Sequence, residues 1–170
     1  MYQEVISRTT MLTRDKITEK TELLPPISLK DMSGIKLMNR TDTKFVATLE
    51  QLDAFLFAVQ GKYYIQENNN ARIASYHTIY LDTKDYLMYT MHHNGKTRRE
   101  KIRVREYLDS RDTFLEVKNK NNHGRTKKKR IAVTGIDTLK DEQETVTPFL
   151  EKHAWYRLEE LMPTCENRFS

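Results

Sequence analysis

The chain has 170 residues, 38% hydrophobic and 31% charged, with 29 Lys+Arg against 24 Asp+Glu and a formal net charge of +5. That length defaults to one domain with room for a core, and a mean hydropathy of −0.76 without a long apolar run excludes a membrane-spanning segment. The single Cys165 excludes an internal disulfide framework and a cysteine-based zinc site, and no secretory-type apolar stretch opens the chain, so a reducing, cytoplasmic setting is expected.

Residues 1–26 read as a polar N-terminal extension, with 1–22 loose or helical. Leu24-Pro25-Pro26-Ile27 is a stop. Ser28 and Asp31 cap a helical turn from Ser28 to Met32, which Ser33-Gly34 breaks. Ile35 to Val46 reads as a strand with Arg40, Asp42 and Lys44 on one face. Thr48 and Gln51 form a capping box, and Leu49, Leu52, Phe55, Leu56 and Val59 recur at helical spacing, which predicts a helix over 49–60 ended by Gly61. Tyr63–Gln66 and Ile73–Asp82 read as strands around an Asn68-Asn69-Asn70 turn. Lys84–Thr90 fits neither period clearly.

Asn94-Gly95 is a hairpin signal leading into a strand at 97–107. Turns at Asp109–Asp112 and Asn121–Gly124 separate strands at 113–120 and 126–134. Thr147-Pro148 starts a helix through Lys152. Trp155, Leu158 and Leu161 point to a second helical piece stopped by Pro163. Meandering strands with helices before and after them read as α+β.

The positive charge is local. Residues 96–130 hold 14 basic and 5 acidic side chains, and the remainder holds 15 basic and 19 acidic. Within that segment the charges fall at strand period. Lys101, Arg103 and Arg105 alternate with Ile102 and Val104, Glu116 and Lys118 with Leu115 and Val117, and Lys128 and Arg130 with Ile131 and Val133. One such strand reads as half-exposed sheet with a solvated outer face. Three in succession, heavily of one sign, repel across neighbouring strands unless an anion lies between them. A concavity lined by Arg and Lys suits phosphate.

The other reading is a basic β-sheet module that binds nucleic acid without catalysis. Aromatics for base stacking are scarce on the basic faces, Phe114 being the clear case, and Lys127–Arg130 continues into Ile131–Val133 as a strand start. Nucleic acid is therefore the second choice. His77, His92, His93, His123 and His153 show no metal-ligand spacing, and no phosphate-binding glycine loop or nucleophile elbow occurs.

Taken together, Asn39-Arg40-Thr41-Asp42-Thr43-Lys44, Tyr76–Thr83, Lys101–Tyr107, Phe114–Lys118 and Lys128–Ile131 resemble, in order and spacing, the vacuolar transporter chaperone (VTC) domain. That domain is the polyphosphate-polymerase branch of the triphosphate tunnel metalloenzymes. The resemblance implies an α+β fold built on an antiparallel β-tunnel, incomplete here, with helices packed outside.

It also implies binding of ATP, triphosphate or polyphosphate, with Mn²⁺ or Mg²⁺ and transfer of the terminal phosphate of ATP to a growing polyphosphate. Carried over, the phosphate ligands are Lys44, Arg103, Arg105, Lys118 and Lys128, with Arg40, Lys101 and Arg130 beside them and Glu116 as a weak metal candidate. No catalytic residue is assigned. Arg40-x-Asp42-x-Lys44 departs from the superfamily's Glu-x-Glu-x-Lys, which disfavours cyclase and triphosphatase chemistry.

Against the family pattern, residues 27–170 read as a domain truncated on its C-terminal side, ending where the next Arg-bearing strand would begin. Such a piece is expected to be catalytically poor by itself and to self-associate through open strand edges.

Overall fold

The fold is that of a computed structural model, which describes residues 16–28, 30–34, 43 and 45–169. The predicted strand at Ile35–Val46, with Arg40, Asp42 and Lys44, lies almost wholly outside the described residues. The chain divides into two compact units, residues 1–73 and 74–170.

In the first unit, residues 16–21 are helical. Strand β1 (Pro26–Ser28) pairs in parallel with β2 (Ile65–Glu67), so the stretch read as a stop carries a short strand. Ser28 and Asp31 do cap each other: the Ser28 hydroxyl donates to Asp31 Oδ2 at 2.5 Å, and the Asp31 N–H to Ser28 Oγ at 3.1 Å. The 3-10 turn they cap runs Asp31–Gly34, so Gly34 belongs to it rather than breaking it.

Helix α1 (Leu49–Ala58) begins at the predicted capping box, with Gln51 N–H on Thr48 Oγ1 and Thr48 N–H on Gln51 Oε1. Gly61 follows at φ +70°. Of its apolar stripe, Leu56 is buried while Leu49 and Phe55 are exposed.

The second unit is an open antiparallel sheet, ordered β6-β5-β4-β3-β7 and not closed into a barrel. Its strands are β3 (Tyr76–Asp82), β4 (Arg99–Tyr107), β5 (Asp112–Lys120), β6 (Thr126–Ala132) and β7 (Met162–Phe169). Helices α2 (Leu87–His93) and α3 (Gln143–His153) complete it. The alternation read from the sequence holds. Ile102, Val104, Leu115 and Val117 are buried on one face and share a core with Val146, Phe149 and Leu150 of α3 and Met88 of α2. Each such side chain removed from water contributes about 1.5–3 kcal/mol, and this burial fixes the strand register.

Several boundaries differ from expectation, each for a local reason. Helix α2 falls where the sequence fitted neither period. Its cap is Asp82, whose Oδ1 accepts from Met88 N–H at 2.9 Å and whose Oδ2 accepts from Tyr89 N–H at 2.8 Å. Asn94-Gly95 is not a hairpin but the end of that helix. Gly95 N–H donates to the His92 carbonyl and Lys96 N–H to that of Met91, the paired bonds of a Schellman motif, with Gly95 at φ +65°.

Helix α3 begins at Gln143, four residues before Thr147, and holds Pro148 inside. Burial of Val146, Phe149 and Leu150 outweighs the proline penalty there. The predicted helical piece after Trp155 is only a 3-10 turn, Leu158–Glu160. Pro163 stops nothing: it lies in β7, an edge strand, where a missing N–H is tolerated. Residues up to Arg168-Phe169, read as only the approach to a further strand, are themselves in strand β7.

Glu100 is fully buried on the apolar side of β4, where both carboxylate oxygens accept from Trp155 N–H at 3.0 and 3.2 Å. Burial pushes its carboxyl up to about 7, against the opposing bonds from Trp155 and Asn119. Between roughly pH 4.5 and 7 the folded chain therefore holds a proton that the unfolded chain has lost. This group by itself lowers stability across that window by roughly 2–3 kcal/mol, while His92, whose imidazole burial holds down to about 4, raises stability between about pH 4 and 6.5. Urea unfolding of wild type and Glu100→Gln at pH 5 and pH 8 separates the two. On going from pH 5 to pH 8 the variant should gain roughly 2–3 kcal/mol relative to wild type, and parallel changes in the two proteins would mean that Glu100 does not titrate there.

Candidate anion-binding face

Opposite the core, the pairing of β4, β5 and β6 lays charged side chains in transverse rows. Lys101 lies opposite Lys118, and Lys118 opposite Lys128, which makes a row of three lysines. The next row runs Tyr80, Arg103, Glu116, Arg130, and the one beyond it Thr78, Arg105, Phe114, Ala132. Adjacent strands are about 4.8 Å apart, so cations within a row are close neighbours. Six of the eight cations predicted to bind phosphate thus share one face. Arg40 and Lys44 lie outside the described residues.

Glu116 organises the middle of this face. It is 1% exposed although its face is polar. Arg103 clasps it with two nitrogens, Nε at 2.7 Å and Nη2 at 2.6 Å from Oε2. Lys128 Nζ lies 2.5 Å from Oε1. Burial works to raise the Glu116 carboxyl, but the bonds from Lys128 and Arg103 win and hold it below the usual carboxylate range. The same pairing, opposed by burial, raises Arg103.

Two more arginines are braced by aromatics. Arg105 Nε donates to the buried Thr78 hydroxyl at 3.0 Å, and its guanidinium lies 4.2 Å from the centre of the Tyr76 ring. Arg130 sits 4.2 Å over Phe114. Lys101 is held below lysine's usual range by burial, and the cations Lys118, Arg99 and Arg103 add to the effect. An arriving anion relieves that repulsion.

The structure corrects two readings. Aromatics are not scarce on the basic face: Tyr76, Tyr80, Tyr107, Phe114 and Phe169 are all on it by register. Tyr76 packs against Tyr107 and Phe169, and Tyr107 against Phe114. Pairing across four strands, β3, β4, β5 and β7, assembles them, which no local pattern displays. The second correction concerns metal. Both oxygens of Glu116 already carry cations, and no group of three His, Cys, Asp or Glu side chains gathers among the described residues. That donor set does not fit a resident divalent ion.

The sheet is thus open and antiparallel, with one apolar, helix-covered face and one face of braced arginines and lysines. The family model of the VTC domain matches residues 39–168, and the chain belongs to that family. A solved structure of a candidate adenylate cyclase from Vibrio parahaemolyticus is similar at 10% identity, with a TM-score of 0.35. The overlap covers 56% of this chain and 42% of that one, too little to bear on activity. Comparison with curated proteins finds no match. Among the described residues, no helix is long and apolar enough to cross a membrane.

Proposed function

We propose that this face binds a chain of phosphates, whether triphosphate, polyphosphate or the triphosphate of ATP, as the phosphate wall of a polyphosphate-polymerase site. The observation that carries the reading is the row Lys101, Lys118, Lys128 beside Arg103, Arg105 and Arg130, all on the face away from the core. Phosphoryl transfer asks little covalent work of a protein: it needs the phosphates aligned and their charge offset. The rows supply both. Arginine forks orient oxygens in pairs and lysines add point charges between them.

In the proposed reaction the oxygen at the end of a polyphosphate chain bonds to the terminal phosphorus of ATP. The bond from that phosphorus to the bridging oxygen breaks, and ADP leaves with the electron pair. The ligands assigned are Arg103, Arg105, Lys118, Lys128, Lys101 and Arg130, together with Lys44 and Arg40 from the family motif. A divalent cation, Mn²⁺ or Mg²⁺, is expected to arrive on the phosphate oxygens. Glu116 is assigned to positioning Arg103 and Lys128.

The aromatics give the nucleic-acid reading a specific observation of its own. Three of those rings, however, already have a guanidinium over one face, Arg105 on Tyr76, Arg130 on Phe114 and Arg103 on Tyr80, so that face is closed to a base. Calorimetric titration separates the two readings. At matched salt, tripolyphosphate should bind at least ~10-fold more tightly than a single-stranded oligonucleotide, since phosphate binding depends steeply on salt and on contact geometry. The reverse order would favour the nucleic-acid module.

A further inference from the structure

Two glutamates are buried in this sheet, in opposite surroundings. Glu116, on the basic face, is clasped by Arg103 and Lys128. Glu100, on the apolar side of β4, meets no cation among the described residues. Its partners are the neutral Trp155 N–H and the Asn119 amide. A carboxylate so placed bears the cost of a dry charge, whereas a neutral carboxyl does not.

Those partners belong to one joint of the fold. Asn119 stands opposite Glu100 in the β4–β5 pairing, and its Nδ2 donates at 2.7 Å to the carbonyl of His153, the last residue of α3. Asn119 Oδ1 is buried with no donor among the described residues. Trp155, two residues beyond α3, is tied to Glu100 through its N–H, and the Arg98 guanidinium lies 4.8 Å from the centre of its ring. One facing pair of polar side chains therefore fastens the connection between α3 and β7 to an otherwise apolar face.

The other ionisable groups around the joint do different work. His92 of α2 hydrogen-bonds to the Glu100 backbone, and burial, with Lys101 and Arg99 nearby, holds its imidazole down to about 4. Tyr156, in the connection itself, is pushed above the usual tyrosine range by burial and by the charges of Glu100, Asp82 and Glu160. Asp82, at the end of β3, caps α2. Lys118 and Lys120 flank Asn119 but lie on the opposite face of β5. The His153 ring packs edge-on to Phe149.

We infer that Glu100 and Asn119 form a proton-operated latch on the connection between α3 and β7. With Glu100 neutral, residues 153–155 are fastened to the sheet. When Glu100 gives its proton to solvent, the carboxylate recovers its hydration by leaving the joint, and the connection opens locally while β4 and β5 stay paired. The latch thereby sets how firmly β7 is tied to the helix that covers the core. The closed carboxyl ionises near pH 7 and an opened one in the ordinary carboxylate range. Opening therefore grows easier as pH rises from about 4.5 and levels off above about 7.

Hydrogen exchange followed by NMR reads the latch at the Trp155 amide. In wild type its protection factor should fall at least ~10-fold from pH 5 to pH 8. At each pH it should lie at least ~10-fold below that of Val117 in the central strand β5, since the connection opens without the sheet. In Glu100→Gln, which keeps the shape and cannot ionise, Trp155 protection should stay within about 3-fold across the same range. Should that variant not fold, the wild-type Glu100 carboxyl carbon and Trp155 amide proton are titrated together, and they should share one midpoint near pH 7. Equal protection of Trp155 and Val117 would overturn the latch, and so would separate midpoints. A fall that persists in Glu100→Gln, as titration of His153 would produce, would overturn it as well.

Discussion

Replacing both Arg103 and Arg105 by alanine is expected to reduce tripolyphosphate affinity at least ~100-fold, because each hydrogen bond to a charged group is worth about 1.5–3 kcal/mol and two forks are lost together. The two arginines sit two residues apart on β4 and point to the same side. Each is braced from a different strand, Arg103 by Glu116 on β5 and Arg105 by Thr78 on β3. Such bracing removes rotamer freedom before the ligand arrives, so the forks bind phosphate without first having to be ordered.

The double variant also leaves Glu116 with Lys128 as its remaining partner, and breaking a buried pair costs about 3–5 kcal/mol. Circular dichroism must therefore accompany the titration. The variant Arg103→Lys/Arg105→Lys keeps both charges and much of the Glu116 pairing but loses the forks. It should fold as wild type does and show an intermediate loss, roughly 10-fold. Wild-type affinity in the double lysine variant would mean that charge alone, rather than fork geometry, binds the phosphates.

What was legible in the sequence was periodicity tied to burial. Ile102, Val104, Leu115 and Val117 alternate with charge, and the only face they can hide is the one now under α3, so the register of β4 and β5 followed directly. The box formed by Thr48 and Gln51 places the start of α1 because both cap bonds are local. Where the deciding partner is remote, the sequence is mute. Helix α2 is capped by Asp82 from the end of the preceding strand, so nothing within 84–93 announces it. Pro148 and Pro163 read as boundaries from chain chemistry alone. Burial around Phe149 and the place of β7 at the sheet's edge among the described residues override both readings.

The candidate site divides in the same way. Its cations are visible at period two, whereas the clasp on Glu116 exists only once β4 and β6 flank β5, and the brace of Tyr76 on Arg105 only once β3 lies beside β4. The exposed aromatics Phe45 and Phe55 in the first unit have no such account.

The central claim is that one face of the sheet, not basic charge at large, selects phosphate chains. Lys118 and Lys129 measure this claim most directly. Both are exposed, on neighbouring strands, but Lys118 is the middle of the three-lysine row while Lys129 lies opposite Val117 and so on the other face. Lys118→Glu and Lys129→Glu change the net charge identically. In the first, the new carboxylate also pairs with Lys101 and Lys128, so a row of three cations is reduced to a net of one.

Tripolyphosphate is titrated into wild type and both variants at one salt concentration, where like changes in net charge give like long-range effects. Lys118→Glu should lose binding by at least ~100-fold, and Lys129→Glu should stay within about 3-fold of wild type. Equal losses in the two variants, or a Lys118→Glu protein that binds as wild type does, would contradict the account.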